Sequence, residues 1–274
     1  MHSHWSLVAF TLLFQASVGS IWCLLAAHFM INTANTGLPV ISHLTAALAL
    51  SFAGMAAALA HLSNPRAGLF AIANLRHSWL SREIFFVHVH AGALALLIIT
   101  TPIRPKEFDV FVLSGASLAG AILLYSMSRV YQLKTVPSWN HSGTLLSFVG
   151  SALVLGGIQF ALVQTICAMT SSTGHDAVTA DIYVQAAIIA AVSGSLIKMT
   201  LGLYQRFKKK RRPAKSSHWP VFHGSGVILC VIFLLLAKAA LVELIALSLA
   251  AIILVGGEIS HRIAFYHSYD RVGL

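Results

Sequence analysis

The sequence predicts an all-α membrane protein, a bundle of eight transmembrane helices that forms one integral-membrane domain over residues 1–274. The first observation is composition: 57% of the residues are apolar and 9% are charged, against roughly 45–50% and 25% in soluble domains. The second is that the apolar residues are gathered into eight stretches, and the third is that the connections are too short for a soluble domain. A water-soluble globular domain, a disordered chain and a disulfide scaffold are therefore excluded.

Each predicted span is a run of about 20 mostly apolar residues, because a helix of that length satisfies its backbone polar groups while crossing hydrocarbon. The first run is long and has no basic flank before it, so we expect a membrane span and not a cleaved signal peptide. In chain order the predicted spans are Leu7–Met30, Val40–His61, Glu83–Thr101, Phe108–Val130, Thr144–Met169, Ile182–Tyr204, Val221–Ala237 and Leu241–Arg262.

The formal net charge of +10 indicates membrane topology and not nucleic-acid binding, because the basic residues lie between the apolar runs. With eight spans, both termini lie on one side, which we call the termini-bearing face. That face receives 14 of the 18 Lys and Arg residues, whereas the opposite face receives Arg104, Lys106 and Lys238. The positive-inside rule therefore predicts that both termini are cytoplasmic.

A basic loop at residues 206–215 contributes much of this asymmetry, with five basic residues in a row at 208–212. One interpretation is a block of charge that stops transfer through the membrane and attracts anionic lipid of the bilayer. The other interpretation is a docking surface for an acidic partner.

The chain shows no means of holding its own iron–sulfur cluster, because Cys23, Cys167 and Cys230 are far apart and each lies inside an apolar run. Haem ligation would need two imidazoles that face each other across the bundle. Most span histidines lie near span ends, and His88 and His90 are two residues apart, which directs them to different helix faces. We therefore expect neither haem nor an iron–sulfur cluster, and a haem-bearing cytochrome b-type anchor remains an alternative.

The richest group of ionisable residues lies between the second and third spans. His61 closes one predicted helix and Glu83 opens the next, so both are expected at the termini-bearing face. Each has a structural interpretation: His61 can bond the last carbonyls of its helix, and Ser81 can cap the third helix with Glu83 in its first turn. Together they form a candidate proton-accepting pair, which is what the oxidation of a quinol requires.

Other polar motifs are predicted on the same face. A helix-breaking proline and a tryptophan suited to the interface occur in the stretch Thr135–Trp139. Glu258 and Arg262 are four residues apart, and we expect them to pair within the eighth helix, with direct contact to a ligand as the alternative. Only Lys198 lies well inside a span, and we expect it to extend toward the basic end of its helix. A secondary transporter would need charged or broken-helix sites at mid-membrane, so that class is the weaker alternative.

The motifs as a set resemble one family. His61-Leu62 with Pro65, Glu83 placed 22 positions after His61, Arg129-Val130-Tyr131 followed by Thr135–Trp139, and Gly257-Glu258 with Arg262 and Phe265-Tyr266 look like the DmsC family. Its members are the membrane anchor subunits of bacterial anaerobic dimethyl sulfoxide reductases. The resemblance runs from the first span, with His4-Trp5, Phe10 and Gln15, to the last.

The resemblance implies an eight-span anchor of the bacterial inner membrane, without a redox centre of its own. Such an anchor holds a molybdopterin catalytic subunit and an iron–sulfur subunit, oxidises menaquinol and passes the electrons to the iron–sulfur subunit. It places His61 and Glu83 at the quinol-binding positions. We expect docking of the partners on the termini-bearing face, and supporting roles for Arg66, Arg76, Arg129, Tyr131, Trp139, Glu258 and Arg262.

Overall fold

The computed structural model describes residues 2–30, 39–61, 72–101, 106–170, 177–209, 218–236 and 240–268. Within these ranges the chain forms eight α-helices and one turn of 3₁₀-helix at Ile72–Asn74, with no strand. The helices are α1 (His2–Met30), α2 (Val40–His61), α3 (Trp79–Thr100), α4 (Lys106–Tyr131), α5 (Gly143–Thr170), α6 (Ala177–Lys209), α7 (Trp219–Leu236) and α8 (Ala240–His267). Each predicted span corresponds to one helix, which confirms the all-α fold of a polytopic membrane protein.

Seven of the described helices are long and apolar enough to cross a membrane, and α7 is the shorter one. With 18 residues, α7 is about 27 Å long at 1.5 Å per residue, slightly less than the ~30 Å of a typical hydrocarbon core. It packs against α8. Helix α6 extends to Lys209, into the basic loop, whose residues 210–215 lie outside the described ranges.

The start of α3 differs from the prediction. Ser78 and not Ser81 is the N-cap, and its hydroxyl accepts the Ser81 N–H at 3.2 Å. Because the helix begins at Trp79, Glu83 lies in the second turn, where it faces the bundle interior. The cap prediction was therefore wrong, because Ser78 also stands at the start of a good helical run and lies earlier in the chain.

Helix α1 lies at the centre of the bundle and packs on α2, α4, α5 and α8. The outer helices carry large exposed apolar side chains such as Ile99 and Phe111, which suit contact with lipid. Polar residues are instead found inside the bundle, where His90 Nε2 shares a hydrogen bond of 3.0 Å with the Ser17 hydroxyl. The interior is therefore a largely apolar core that also contains polar side chains, and the perimeter is apolar.

Helices α1 and α5 approach each other closely where they cross. A Cβ atom built on Gly156 would overlap the backbone of Gly19, and one built on Gly19 would overlap the carbonyl oxygen of Ala152. Small residues at such crossings let helix backbones meet, which is a main source of attraction between helices in lipid. Glycine at these two positions therefore holds α1 against α5.

We expect Gly156→Val to separate α1 from α5 and to lower the free energy of unfolding by about 3 kcal/mol, the upper end of ordinary overpacking costs. Thermal unfolding of the purified chain in detergent measures this. Gly115→Val is the matched control, because nothing lies within 4 Å of a Cβ at Gly115, and the propensity cost of valine is shared. Equal melting temperatures for the two variants would contradict the close crossing.

Candidate functional site

The termini-bearing face brings together the ends of helices that are far apart in the chain. Tyr131, at the end of α4, shares a hydrogen bond of 2.9 Å between hydroxyls with Tyr266, near the end of α8. Trp139, in the loop after α4, donates its indole N–H to the carbonyl oxygen of Phe265 at 2.9 Å. The predicted motifs Arg129–Tyr131, Thr135–Trp139 and Phe265-Tyr266 therefore meet in one place.

These side chains form an aromatic cluster, which we define as Tyr131, Trp139, Phe148, Phe265 and Tyr266. Trp139 stacks on Phe265 with ring centroids 5.2 Å apart and an interplanar angle of 15°. Tyr131 contacts both Phe148 and Tyr266, with centroid distances of 5.8 Å and 5.7 Å. Such aromatic contacts fix the orientation of each ring, so the cluster presents flat apolar surfaces held by hydrogen bonds.

Arg262 lies against this cluster and is 1% exposed. Its guanidinium is 4.1 Å from the Phe148 ring centroid, and one terminal nitrogen donates to Gln15 Oε1 at 2.8 Å. The predicted ion pair with Glu258 was wrong, because the Glu258 carboxylate instead bonds Lys198 and Ser151. The spacing of four residues allowed the pair, but partners on other helices proved closer.

Glu83 is the acid of the predicted site, and it is 4% exposed. Among the described residues no hydrogen-bond donor or cation contacts its carboxyl group. Val87, one turn later on the same buried face of α3, packs in one core cluster with Tyr131 and Tyr266, so this face of α3 lies against the aromatic cluster. A carboxyl group that is both buried and without a partner is costly, and such groups inside a membrane mark functional sites.

The remaining predicted site residues differ in how far the structure describes them. His61 is the last residue of α2, but its side chain, like Arg66 as a whole, lies outside the described part of the chain. Arg76 is exposed in the turn before α3. Arg129 lies over the Trp79 ring, 5.1 Å from its centroid, and donates to Gln132 at 2.8 Å. The pairing of His61 with Glu83 therefore stays a prediction.

A second group of buried charges was missed by the sequence analysis. Lys198 of α6 is 1% exposed and forms a salt bridge with Glu258 of α8. Its Nζ also donates to Ser151 Oγ at 2.9 Å, and that hydroxyl donates to Glu258 Oε2 at 2.7 Å. The prediction that Lys198 extends toward the end of its helix was therefore wrong. The helix positions of the two residues indicate this pairing. Lys198 and Glu258 each lie two to three turns from the end of their helix at the termini-bearing face, so the two opposite charges lie at similar depth in the membrane.

His223 of α7 extends this ionic cluster, which we define as Lys198, Glu258, Ser151 and His223. Its Nε2 lies 3.5 Å from Glu258 Oε1, and its Nδ1 shares a hydrogen bond of 3.2 Å with Ser195. The cluster joins α5, α6, α7 and α8, one turn of α8 away from Arg262. It therefore fixes the depth and rotation of the helix that carries Arg262 and Tyr266.

The buried histidines elsewhere serve helix packing. His43 stacks on Phe160 with centroids 4.0 Å apart and bonds Gln164 at 3.1 Å. His90 is buried whereas His88 is exposed, which confirms that the two imidazoles face different sides of α3. In the described part of the chain, no group of three or more His, Cys, Asp and Glu side chains is arranged to hold a metal ion.

Fold and site together define a polytopic helical membrane protein with a buried acid beside an aromatic cluster at one membrane face. A family model described as DMSO reductase anchor subunit (DmsC) matches residues 1–267, and the chain belongs to this family.

Two relatives agree with the family. Over 280 residues the protein is 26% identical to the anaerobic dimethyl sulfoxide reductase subunit YnfH from Escherichia coli, covering 98% of this sequence and 96% of the relative. Over 167 residues it is 31% identical to the C subunit of an anaerobic dimethyl sulfoxide reductase from Haemophilus influenzae, covering 58% of each. No solved structure matches the protein significantly.

Proposed function

We propose that this anchor subunit oxidises menaquinol and passes the electrons to a partner iron–sulfur subunit, from which they reach a molybdopterin catalytic subunit. The observation that carries the proposal is the buried Glu83, whose carboxyl group has no partner among the described residues and whose helix face packs against the aromatic cluster. A ligand hydroxyl would supply the missing partner.

The chemistry needs proton acceptors and an electron acceptor. Oxidation of a hydroquinone to a quinone breaks two O–H bonds and releases two protons and two electrons. Glu83 is proposed to accept one proton as a general base. His61, which ends α2 on the same face, is proposed to accept the other. The electrons leave to the iron–sulfur subunit, because the chain's sequence offers no cysteine pattern for a cluster.

The supporting residues take distinct parts in this proposal. Tyr131, Trp139 and the rings around them offer flat surfaces on which a quinol ring can pack. Arg262 borders the same surface, and Glu258 acts through the ionic cluster by positioning α8. Arg129 and Arg76 lie at the membrane edge, where Arg129 is held over Trp79 and Arg76 is exposed, and both suit contact with a partner.

We propose docking of the iron–sulfur and catalytic subunits on the termini-bearing face. The support is distance: electrons must pass from the quinol to the partner, and Glu83, Tyr131 and Arg262 all lie near that face. The proposed location is the bacterial inner membrane, and the count of basic residues favours cytoplasmic termini.

Copurification tests this assignment. A tag on the chain, extracted with mild detergent from anaerobically grown cells, is expected to bring down two further polypeptides together with molybdenum and iron. The complex should oxidise menadiol, a soluble menaquinol analogue, when a terminal acceptor is present. A chain that purifies without molybdenum and without the two further polypeptides, and that carries a haem absorbance band instead, would favour the cytochrome b-type alternative.

A further inference from the structure

Arg262 is a buried cation whose hydrogen-bonding capacity is mostly unused. One terminal nitrogen donates to Gln15 Oε1, but Nε and the other terminal nitrogen are buried without a hydrogen-bond partner among the described residues. Glu258, the acid one turn earlier on α8, is already bound by Lys198 and Ser151. A guanidinium has only hydrogen-bond donors and cannot lose its charge. Its unpaired nitrogens can therefore be satisfied only by a hydrogen-bond acceptor.

Gln15 of α1 is fully buried and, like Arg262, has a hydrogen-bond donor without a partner among the described residues. Its carbonyl oxygen is occupied by Arg262, which fixes the orientation of the amide. The amide nitrogen of the same group is buried without a partner in the described part of the chain. Three neighbouring unpaired nitrogens are therefore all donors. Buried donors left unpaired are rare and costly in native proteins, and an oxygen with lone pairs would satisfy them.

The surroundings indicate what carries that oxygen. Arg262 stacks on Phe148 of the aromatic cluster. Its guanidinium also lies 5.8 Å from the Phe265 ring centroid, and Val87, one turn after Glu83 on the same buried face of α3, packs in one core cluster with Tyr131 and Tyr266. A group that accepts hydrogen bonds, on α3, and a group that only donates them, on α8 and α1, therefore flank one aromatic region. A hydroquinone has matching chemistry, with two oxygens at opposite ends of a flat ring.

We propose that Arg262 and Gln15 bind one oxygen of the menaquinol ring, at the end opposite the hydroxyl that faces Glu83. This inference rests on the proposed function and adds a defined contact for both residues. Charge-assisted donors bind an oxygen more strongly once it has lost its proton, so the pair favours the ring as it is oxidised. The family resemblance includes Gln15 but implies no role for it.

The test uses the purified complex with menadiol as donor. Gln15→Met keeps the side-chain volume and removes the amide, and we expect the KM for menadiol to rise about tenfold, the loss of one good hydrogen bond to the ligand. Arg262→Lys keeps the charge but removes the planar arrangement of guanidinium N–H donors, and we expect a similar rise in the KM for menadiol. Gln164→Met is the matched control, because Gln164 is also buried in the bundle but bonds His43 near the opposite face.

Two further readouts separate binding from other effects. Equilibrium binding of menadione to the resting complex should weaken by the same factor in both variants, without any turnover. Reduced benzyl viologen, which donates to the partner subunits directly, should support wild-type rates, which shows that the complex is assembled.

The possible outcomes are distinct. The inference is overturned if Gln15→Met and Arg262→Lys assemble and retain the wild-type KM and menadione affinity. In that case the donors of Arg262 and Gln15 bind a fixed water and not the quinol. If the wild-type complex itself fails to oxidise menadiol, the proposed function falls and this inference with it. A tenfold change in the two variants but not in Gln164→Met supports the assignment.

Discussion

Glu83→Gln is expected to slow menadiol-driven reduction of the terminal acceptor by about a hundredfold, the loss that follows removal of a general base. Glutamine has nearly the same shape but cannot take up a proton. Glu83 has no protein partner in the described residues, so the neutral amide breaks no existing contact and the complex should assemble normally. The measurement is the rate with menadiol against the rate with reduced benzyl viologen, which should not change.

The matched control is Glu243→Gln. Glu243 lies in the first turn of α8, at the opposite end of the helix from Arg262, and is half-exposed. Glu243→Gln makes the same chemical change in the same helix bundle, at a residue for which no contact with the quinol is proposed. Full menadiol activity in Glu83→Gln would remove Glu83 from the mechanism, and equal losses in both variants would show a general effect on the fold.

Lys198→Met is expected to have the largest effect on stability, a loss of about 3–5 kcal/mol in the free energy of unfolding. The substitution leaves the Glu258 carboxylate buried without its cation, and breaking a buried pair from one side carries this cost. Because Glu258 lies one turn before Arg262 on α8, we also expect weaker menadiol binding. Thermal unfolding in detergent, followed by circular dichroism, measures the first effect.

The double variant Lys198→Met, Glu258→Leu distinguishes pairing from packing. Replacement of a whole buried ion pair by apolar residues of similar volume is often neutral or stabilising, so most of the lost stability should return. Lys134→Met, an exposed lysine in the loop after α4, is the control for loss of charge. A single variant as stable as the wild type would contradict the structural role of the ionic cluster.

The helices could be predicted from the sequence because the bilayer imposes one length and one composition on every span. The boundaries of α2 were predicted to the residue. The start of α3 was not, because Ser78 and Ser81 are both good capping residues and the choice depends on where Trp79 packs, against Tyr125 and beneath Arg82.

The site was predictable only in part. Motifs at the ends of spans indicated that Tyr131, Trp139 and Arg262 share a face, because the direction of each helix follows from the count of spans. Which side chains pair could not be predicted, since pairing depends on the rotation of each helix about its axis. Gln15 lies in a span with little amphipathic pattern, so its contact with Arg262 could not be predicted although the residue fits the family resemblance.

The central claim is that electrons from menaquinol enter the complex through this chain. Its most direct test is anaerobic addition of menadiol to the purified complex without a terminal acceptor, with reduction of the iron–sulfur subunit followed by electron paramagnetic resonance. We expect rapid cluster reduction in the complete complex, slow reduction with Glu83→Gln, and none in the two partner subunits prepared without the chain. Equal reduction of the partner subunits in the absence of this chain would contradict the claim.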